Sequence, residues 1–481
     1  MKGPLLGLYH RMPGAMRSVA ATARGYYLRR WRYGSESESL VQASLERETW
    51  TPAQWQSWEE ERVGFILERA ATRVPWYRDH WAQRRRHGDR ASPELLENWP
   101  VLEKETLRHD ARAFVADDVD IRRMFHEQTS GTTGKPLDIW RSRLTVRSLY
   151  ALASARTRIW EGIPDGVRFA RLGGQLVTPV SQRRPPFWVW NAVMHQLYMS
   201  TYHLAPDLIP HYFDALVRYR IEYIAGYTSA LVALAREALQ LGRNDIRMLA
   251  AVTNAEPVRP DERQLISKAF HCPVRETYGM AETVAAGSEC PAGTLHQWPE
   301  AGHIEVSEPV ADGAGVHDGA SGEFLCTGLL NVDMPLIRYR VGDRGTAPRF
   351  RACACGRTLP VIDAVDGRTT DLLVTRDGRR VFWLNPVFYG LPVRETQIVQ
   401  DSLDRITVRA VPAPGFGPAT CRTISDRLRQ RMGDVDVDVQ QVSEVPRTSF
   451  GKLRAVVCNL SADEQRSLLA GSLRASAKEA R

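Results

Sequence analysis

The sequence predicts an α/β protein with a large multi-layer N-terminal domain and a small α+β C-terminal domain. Three observations carry this. Strand-like and helix-like runs alternate between residues 208 and 277, the pattern of a sheet covered by helices. Beyond Ser307 the runs shorten and turn residues multiply, as around Glu323-Phe324-Leu325-Cys326-Thr327. A boundary at Gly367-Arg368-Thr369-Thr370-Asp371 then sets off two last strand-like runs around one helix. The expected division is a basic extension at 1–46, a large domain at 47–367, a small domain at 368–460 and a tail at 461–481.

Taken in order, residues 47–110 read as largely helical. Phe65 to Ala71 place apolar residues at helical spacing, and Pro75 breaks the run, leaving Val74-Pro75-Trp76-Tyr77-Arg78 as an aromatic-rich turn. Trp99-Pro100-Val101-Leu102 leads into the main body. Leu208–Tyr219 reads as an amphipathic helix and Ile221–Ala225 as a strand. Thr228 or Ser229 is placed to cap a helix that runs to Leu241, where Gly242 stops it. Met248–Val252 and Val274–Thr277 read as strands, with Val258–Phe270 as the helix between them. In the small domain, Ile406–Val411 and Val435–Val442 read as strands around a helix at Ala419–Arg429. There is no internal repeat.

Hydrophobic content of 43% and charged content of 25% place the chain among soluble globular proteins, and no apolar run is long enough to span a bilayer. A secretory signal is also lacking. The net charge of +8 is uneven: residues 1–34 contain Lys2, Arg11, Arg17, Arg24, Arg29, Arg30 and Arg32 and no acid. This stretch reads as a solvated basic extension; an acidic partner, a membrane surface or a transit peptide are the other readings of such charge. No nucleic-acid-binding module accompanies it. Seven cysteines, an odd number, fit a reducing compartment, and the expected location is the cytoplasm.

The chemistry centres on Gln128-Thr129-Ser130-Gly131-Thr132-Thr133-Gly134-Lys135-Pro136. Glycines let successive backbone N–H groups converge on an anion, the hydroxyls add donors, and the lysine adds a mobile charge. This is a phosphate-gripping loop but not a Walker loop, which requires glycine in place of Thr129 and Ser or Thr in place of Pro136. Further on, Tyr278-Gly279-Met280-Ala281-Glu282 follows a strand, with an aromatic ring to stack on a base and a carboxylate able to hold Mg²⁺. Ile337–Gly345 sets Asp343 at a glycine turn, where a carboxylate can accept ribose hydroxyls. Pro446–Lys452 puts Lys452 on a turn-rich loop from which it could reach a transferring phosphoryl group.

These four segments, in this order, resemble the adenylate-forming superfamily of acyl-CoA synthetases and adenylation domains. Within it the chain is most similar to the phenylacetate–coenzyme A ligase-like branch, including relatives associated with capsular polysaccharide biosynthesis. Val74–Arg78, Tyr202-His203-Leu204, Ala225–Ser229 and Cys353-Ala354-Cys355-Gly356-Arg357 support that branch. The resemblance implies a large adenylation domain and a small mobile lid. It implies that Ser130, Gly131, Thr132, Thr133, Gly134 and Lys135 hold the ATP β- and γ-phosphates and that Glu282 binds Mg²⁺. Ala255-Glu256-Pro257, Tyr278 and Gly279 would flank the adenine, Asp343 and Arg368 would take the ribose, and Lys452 would bridge the α-phosphate and the substrate carboxylate. The implied reaction is adenylation of a small, aromatic carboxylic acid followed by transfer to coenzyme A. The alternatives are transfer to an amine, hydroxyl or carrier protein, or a non-catalytic nucleotide-binding scaffold. A homodimer is left open.

Two positions depart from the family pattern. Ala281 stands where the family usually has Thr or Ser, and Thr370 replaces the first aspartate of the hinge. Cys290, His296, Cys353 and Cys355 form a soft-ligand set compatible with a structural tetrahedral Zn²⁺, the alternative being four unconnected residues. Trp188, Trp190, Tyr202, His203 and Tyr227 fall where the family builds its acid pocket, although aromatic residues are also ordinary core.

Overall fold

The computed structural model describes residues 4–128, 137–204, 207–307, 321–368, 373–376, 380–381, 384–388, 390–447, 453–461 and 464. The chain divides into two units, Met1–Val341 with Thr346–Ala364, and Gly342–Gly345 with Val365–Arg481.

The first unit opens with helices α1 (Pro4–Arg11), α2 (Gly14–Arg32) and α3 (Ser37–Arg47). The stretch expected as a solvated extension is therefore helical, and it is anchored: Arg17 is buried and hydrogen-bonds Thr178 and Gln182. Next come α4 (Pro52–Arg73) and α5 (Pro75–Arg86). Thr51 and Gln54 form a capping box at the start of α4. Pro75 does not leave a turn, as expected from the sequence; it occupies the first position of α5, where its missing N–H costs nothing. That places Trp76, Tyr77 and Trp81 on a helix, and they pack with Phe114 and Trp99 at ring separations of 4.9–5.4 Å.

After the short α6 (Lys104–His109), strands β1 (Phe125–Gln128) and β2 (Asp138–Arg141) pair antiparallel, with Gln128 opposite Asp138. Then α7 (Arg143–Ala153) leads to the main sheet. Its strands are β3 (Phe169–Gly173), β4 (Trp188–Asn191), β5 (Gln196–Ser200), β6 (Tyr223–Tyr227), β7 (Ala250–Asn254), β8 (Val274–Gly279), β9 (Ala286–Glu289) and β10 (Leu295–Gln297). They lie in the order β10-β9-β8-β7-β6-β3-β5-β4. The five strands β8, β7, β6, β3 and β5 are parallel; β4, β9 and β10 are antiparallel additions.

Helices α8 (Ile209–Arg218), α9 (Thr228–Gln240) and α10 (Pro260–Phe270) connect the parallel strands, as the alternation predicts. Their apolar faces and the strands form one core that includes Phe213, Leu216, Ile224, Leu231, Leu234 and Phe270. β6 and β3 approach so closely at Gly226 that a Cβ there would lie 2.8 Å from the carbonyl oxygen of Leu172. The cap of α9 differs from expectation. The helix begins at Thr228, so neither that residue nor Ser229 caps it; the Glu256 carboxylate, arriving from the end of β7, accepts the Ser229 N–H at 2.8 Å.

Strands β11 (Gly302–Ser307) and β12 (Ser321–Gly328) pair antiparallel in the first unit. The division between the units runs through β13 (Tyr339–Thr346). In the second unit, residues 343–345 of β13 pair with β14 (Val365–Arg368), and β15 (Leu373–Val374) and β16 (Arg380–Val381) form a small hairpin. Strands β17 (Val393–Ser402), β18 (Arg405–Pro412), β19 (Asp436–Gln441) and β20 (Val456–Cys458) form a sheet in the order β19-β18-β17-β20, covered by α11 (Pro418–Met432). Leu373, Ile398, Ile406, Val408, Ile424 and Leu428 are its core. The sequence reading found β18, α11 and β19 and missed β17 and β20.

Candidate active site

Parallel α/β sheets bind ligands outside the carboxyl ends of their strands, where the chain reverses its direction of growth across the sheet. Here that reversal lies at β3. The chain first adds β5 on one side of it, then β6, β7 and β8 on the other. The residues singled out from sequence collect at this edge. Tyr202 and His203 follow β5, Tyr227 ends β6, Ala255-Glu256-Pro257 follow β7, and Tyr278 and Gly279 end β8. At the reversal itself, the Tyr227 hydroxyl accepts the Gly174 N–H at 3.4 Å and the Tyr202 hydroxyl donates to the Gly174 carbonyl at 3.1 Å. Tyr198, which sequence reading passed over, accepts the Gln175 N–H. Burial pushes the phenols of Tyr198 and Tyr202 up to about 12, so both stay protonated.

The remaining pocket assignments are packed against the protein's own side chains. His203 is buried, its Nδ1 2.9 Å from the Ser200 hydroxyl and its ring stacked on Phe187. Trp188 and Trp190 lie on the edge strand β4, packed against Tyr212 and Tyr219. Just after β7, Ala255 has a left-handed backbone (φ 63°), which turns the chain back so that Glu256 reaches α9.

Glu282 has the most constrained environment. It is 5% exposed, and its Oε1 takes the Lys104 ammonium at 3.0 Å and the Tyr339 hydroxyl at 3.0 Å. Burial alone would raise this carboxyl, but the nearby Lys104 charge and the two hydrogen bonds overcome it and hold Glu282 below the usual glutamate range. The meeting of these residues has a backbone cause. Leu102 and Tyr339 form a parallel bridge, with Leu102 N–H donating to the Arg338 carbonyl and Arg340 N–H to the Leu102 carbonyl. Lys104 is thus carried alongside Tyr339. The start of β13 is fixed in turn by α5, since the Ile337 N–H donates to the buried Tyr77 hydroxyl at 3.0 Å.

The loop of Glu282 is also tied to β1 and β2. Arg141 on β2 is buried, pairs with Glu127 on β1 at 2.8 Å, and donates to the Ala281 carbonyl and the Thr283 hydroxyl. Thr283 adopts a left-handed backbone (φ 58°) and turns its hydroxyl onto Arg141. Lys104, Arg141 and Tyr339 were not singled out from sequence; only Tyr339 fell within a quoted motif.

A second constellation lies at the far edge of the sheet. The ligand atoms of Cys290, His296, Cys353 and Cys355 all lie within 4.8 Å of one another. Cys290 Sγ and Cys353 Sγ are 3.8 Å apart, about the edge of a tetrahedron with metal–sulfur bonds of about 2.3 Å. His296 Nδ1 faces the Leu359 carbonyl at 3.1 Å, which leaves Nε2 toward Cys355 Sγ at 3.4 Å. Burial pushes Cys290 up to about 11. Cys353 is also desolvated, but hydrogen bonds from the Thr294 side chain and the Cys355 backbone hold it down to about 7. Glu48 braces the cysteine loop through Arg357 at 2.9 Å and Thr358 N–H at 3.0 Å. The donor set is that of a closed, soft-metal site.

In the second unit, the β13–β14 register sets Asp343 directly opposite Arg368. Ser130 to Lys135, Thr370 and Lys452 lie outside the described residues.

A family described as the CapK C-terminal domain matches residues 373–459. Protein CapK of Staphylococcus aureus is 25% identical over 392 residues, covering 78% of this chain and 82% of that protein. The phenylacetate–coenzyme A ligase of Thermus thermophilus is 25% identical over 446 residues, covering 83% and 95%. In fold, the chain matches 2-hydroxyisobutyryl-CoA ligase in the postadenylation state with a TM-score of 0.65 at 22% identity, covering 89% of this chain and 94% of that one. These likenesses in sequence and fold are to AMP-forming ligases, the phenylacetate–coenzyme A ligases among them.

The pairing of Glu282 yields a direct test. Lys104→Met should destabilise the protein by about 1–3 kcal/mol at neutral pH, less than for a fully buried pair because a third of the Lys104 side chain is exposed. Because the folded pKa of Glu282 is lowered, the stabilisation is present above the unfolded glutamate pKa and is lost as pH falls through the folded one. Denaturant titrations of both proteins across this window should show the difference closing on acidification.

Proposed function

We propose that this chain activates a small aromatic carboxylic acid with ATP, forming an acyl-adenylate and pyrophosphate, and then passes the acyl group to coenzyme A with release of AMP. The observation that carries the reading is Glu282: a buried carboxylate kept ionised by Lys104 and Tyr339, in the loop that follows Tyr278 at the ligand-binding edge of the sheet. Such a group suits a hard cation. Magnesium bound there would neutralise phosphate charge, and Glu282 would be the residue that holds it.

The chain's own residues then divide the work. Ser130 to Lys135 would cradle the β- and γ-phosphates. Tyr278 and the backbone at Ala255-Glu256-Pro257 would flank the adenine, and Asp343 with Arg368 would hold the ribose, a role their facing register supports. Tyr202 and Tyr227, with Tyr198, would wall the acid site with apolar rings and neutral hydroxyls, an environment suited to an aryl or arylacetic acid. Lys452 would stabilise the charge that develops as the carboxylate attacks the α-phosphorus. A second reading, transfer to a different acceptor, is favoured by Ala281 and Thr370, which depart at the phosphate contact and at the hinge. The seven cysteines, none in a disulfide, support a reducing compartment such as the cytoplasm.

Pyrophosphate release over a panel of acids, with and without coenzyme A, tests the proposal. Aromatic acids should give the largest rates, and thioester should form only with the thiol present. ATP cleavage to ADP, or no release with any acid, contradicts it. Lys452→Ala should slow adenylate formation by about a hundredfold while leaving thioester formation from supplied acyl-adenylate intact.

We also assign a structural zinc ion to Cys290, His296, Cys353 and Cys355. Purified protein should carry about one zinc per chain, and Cys353→Ser should lower both metal content and melting temperature, since such sites contribute folding energy. Metal-free protein with unchanged melting removes the assignment.

A further inference from the structure

The N-terminal helices present a surface that the nucleotide and acid sites do not use. Of the basic residues in the first 34, Arg17 turns inward and Arg32 lies 4.5 Å from the Tyr150 ring centre. Arg11, Arg24, Arg29 and Arg30 are exposed. One side of α2 closes the edge of the main sheet: Ser18 Oγ accepts the Trp190 N–H at 3.1 Å and Thr22 Oγ1 accepts the Ala192 N–H at 3.2 Å. The adjoining side carries Met16, Val19, Ala23, Tyr26 and Tyr27, which recur at intervals of three or four residues and so share one face.

A surface helix ordinarily turns its apolar stripe to the core. This one turns it outward. Met16 is 54% exposed, Val19 70% and Tyr26 67%, and Leu8 on α1 adds another exposed apolar side chain. An apolar groove of about 420 Å³, lined by Ser18, Val19, Thr22, Ala23, Tyr26 and Trp190, runs beside the stripe. Arg24 lies on one flank of the stripe, Arg29 on the other, and Arg30 within it.

We propose that this face docks on the surface of an anionic phospholipid bilayer, with the apolar stripe at the boundary of headgroups and acyl chains and Arg24, Arg29 and Arg30 against lipid phosphates. Charge selects this occupant. A second copy related by a two-fold axis would set the same arginines against each other, with no acid in residues 1–34 to pair with them. A nucleic acid would satisfy the arginines and leave Met16 and Val19 in water. An anionic bilayer satisfies both, and aromatic rings interleaved with arginine suit its interface. The attachment is peripheral, because among the described residues no helix is long and apolar enough to cross a membrane.

The test is co-sedimentation of the full chain with vesicles of phosphatidylcholine alone or with about a third phosphatidylglycerol. The chain should sediment with the anionic vesicles at a lipid concentration at least about tenfold lower, and salt should release it. The triple variant R24Q/R29Q/R30Q should bind about a hundredfold more weakly, whereas R24K/R29K/R30K should bind like the parent. V19E/Y26S should also weaken binding. All five positions are exposed, so each variant should keep the parent's melting temperature and pyrophosphate release. Equal binding to neutral vesicles, or binding to neither, overturns the proposal. So does concentration-dependent self-association that the same substitutions abolish, which would make a second copy the occupant.

Discussion

A carboxylate taken out of water must be given partners or it will take up a proton. Glu282 is in that position, and its partners come from segments 178 and 57 residues away, Lys104 and Tyr339. Much of the first unit can be read as the scaffold that makes this meeting possible. The Leu102–Tyr339 bridge aligns two of the three segments, and the helix that begins at Pro75 supplies the Tyr77 hydroxyl that holds the Ile337 N–H at the start of β13. Arg141 completes the arrangement by tying the Glu282 loop to β1 and β2. Loss of any of these contacts leaves a buried charge or donor without a partner, so the cost falls on the site as well as on the fold.

The cluster of Cys290, His296, Cys353 and Cys355 poses a similar problem. Residues 349–362 form an irregular path with few backbone pairings, held by the Arg349–Val361 and His296–Val361 bridges. Cys353 and Cys355 on it meet Cys290 and His296 from beside β9 and on β10, and Glu48 fastens the loop to the end of α3. The same Glu48 accepts the Trp160 indole N–H at 2.9 Å, and Arg156, fully buried, makes a two-pronged ion pair with Glu300 nearby. A network of this kind specifies one arrangement of the loop because every alternative strands a charge.

Sequence patterns exposed the parts of the structure that depend on local periodicity. The alternation of β6, α9, β7, α10 and β8 was readable because β6 and β7 are buried on both faces and the helices are amphipathic. The strand that ends at Tyr278 and Gly279 was readable because it closes on a glycine. What escaped was whatever depends on contacts distant in sequence. Lys104 and Arg141 look like surface cations in the sequence; only the Leu102–Tyr339 bridge and the β1–β2 pairing give them their roles. Pro75 was misjudged because a proline inside a helical pattern can equally open a new helix when the preceding residue is extended, as Val74 is. The Glu256 cap of α9 escaped for the same reason as Lys104: the capping group comes from another strand. β17 was missed because its polar residues, Gln397 and Gln400 among them, are buried and hydrogen-bonded within the second unit rather than alternating toward solvent.

The central claim is that Glu282 is held ionised in order to receive a cation that accompanies the nucleotide. Calorimetric titration of ATP, with and without magnesium, into the parent protein and Glu282→Gln tests it most directly. The account predicts that magnesium tightens ATP binding to the parent by at least about tenfold and has little effect on the variant. Equal tightening by magnesium in both proteins would contradict it.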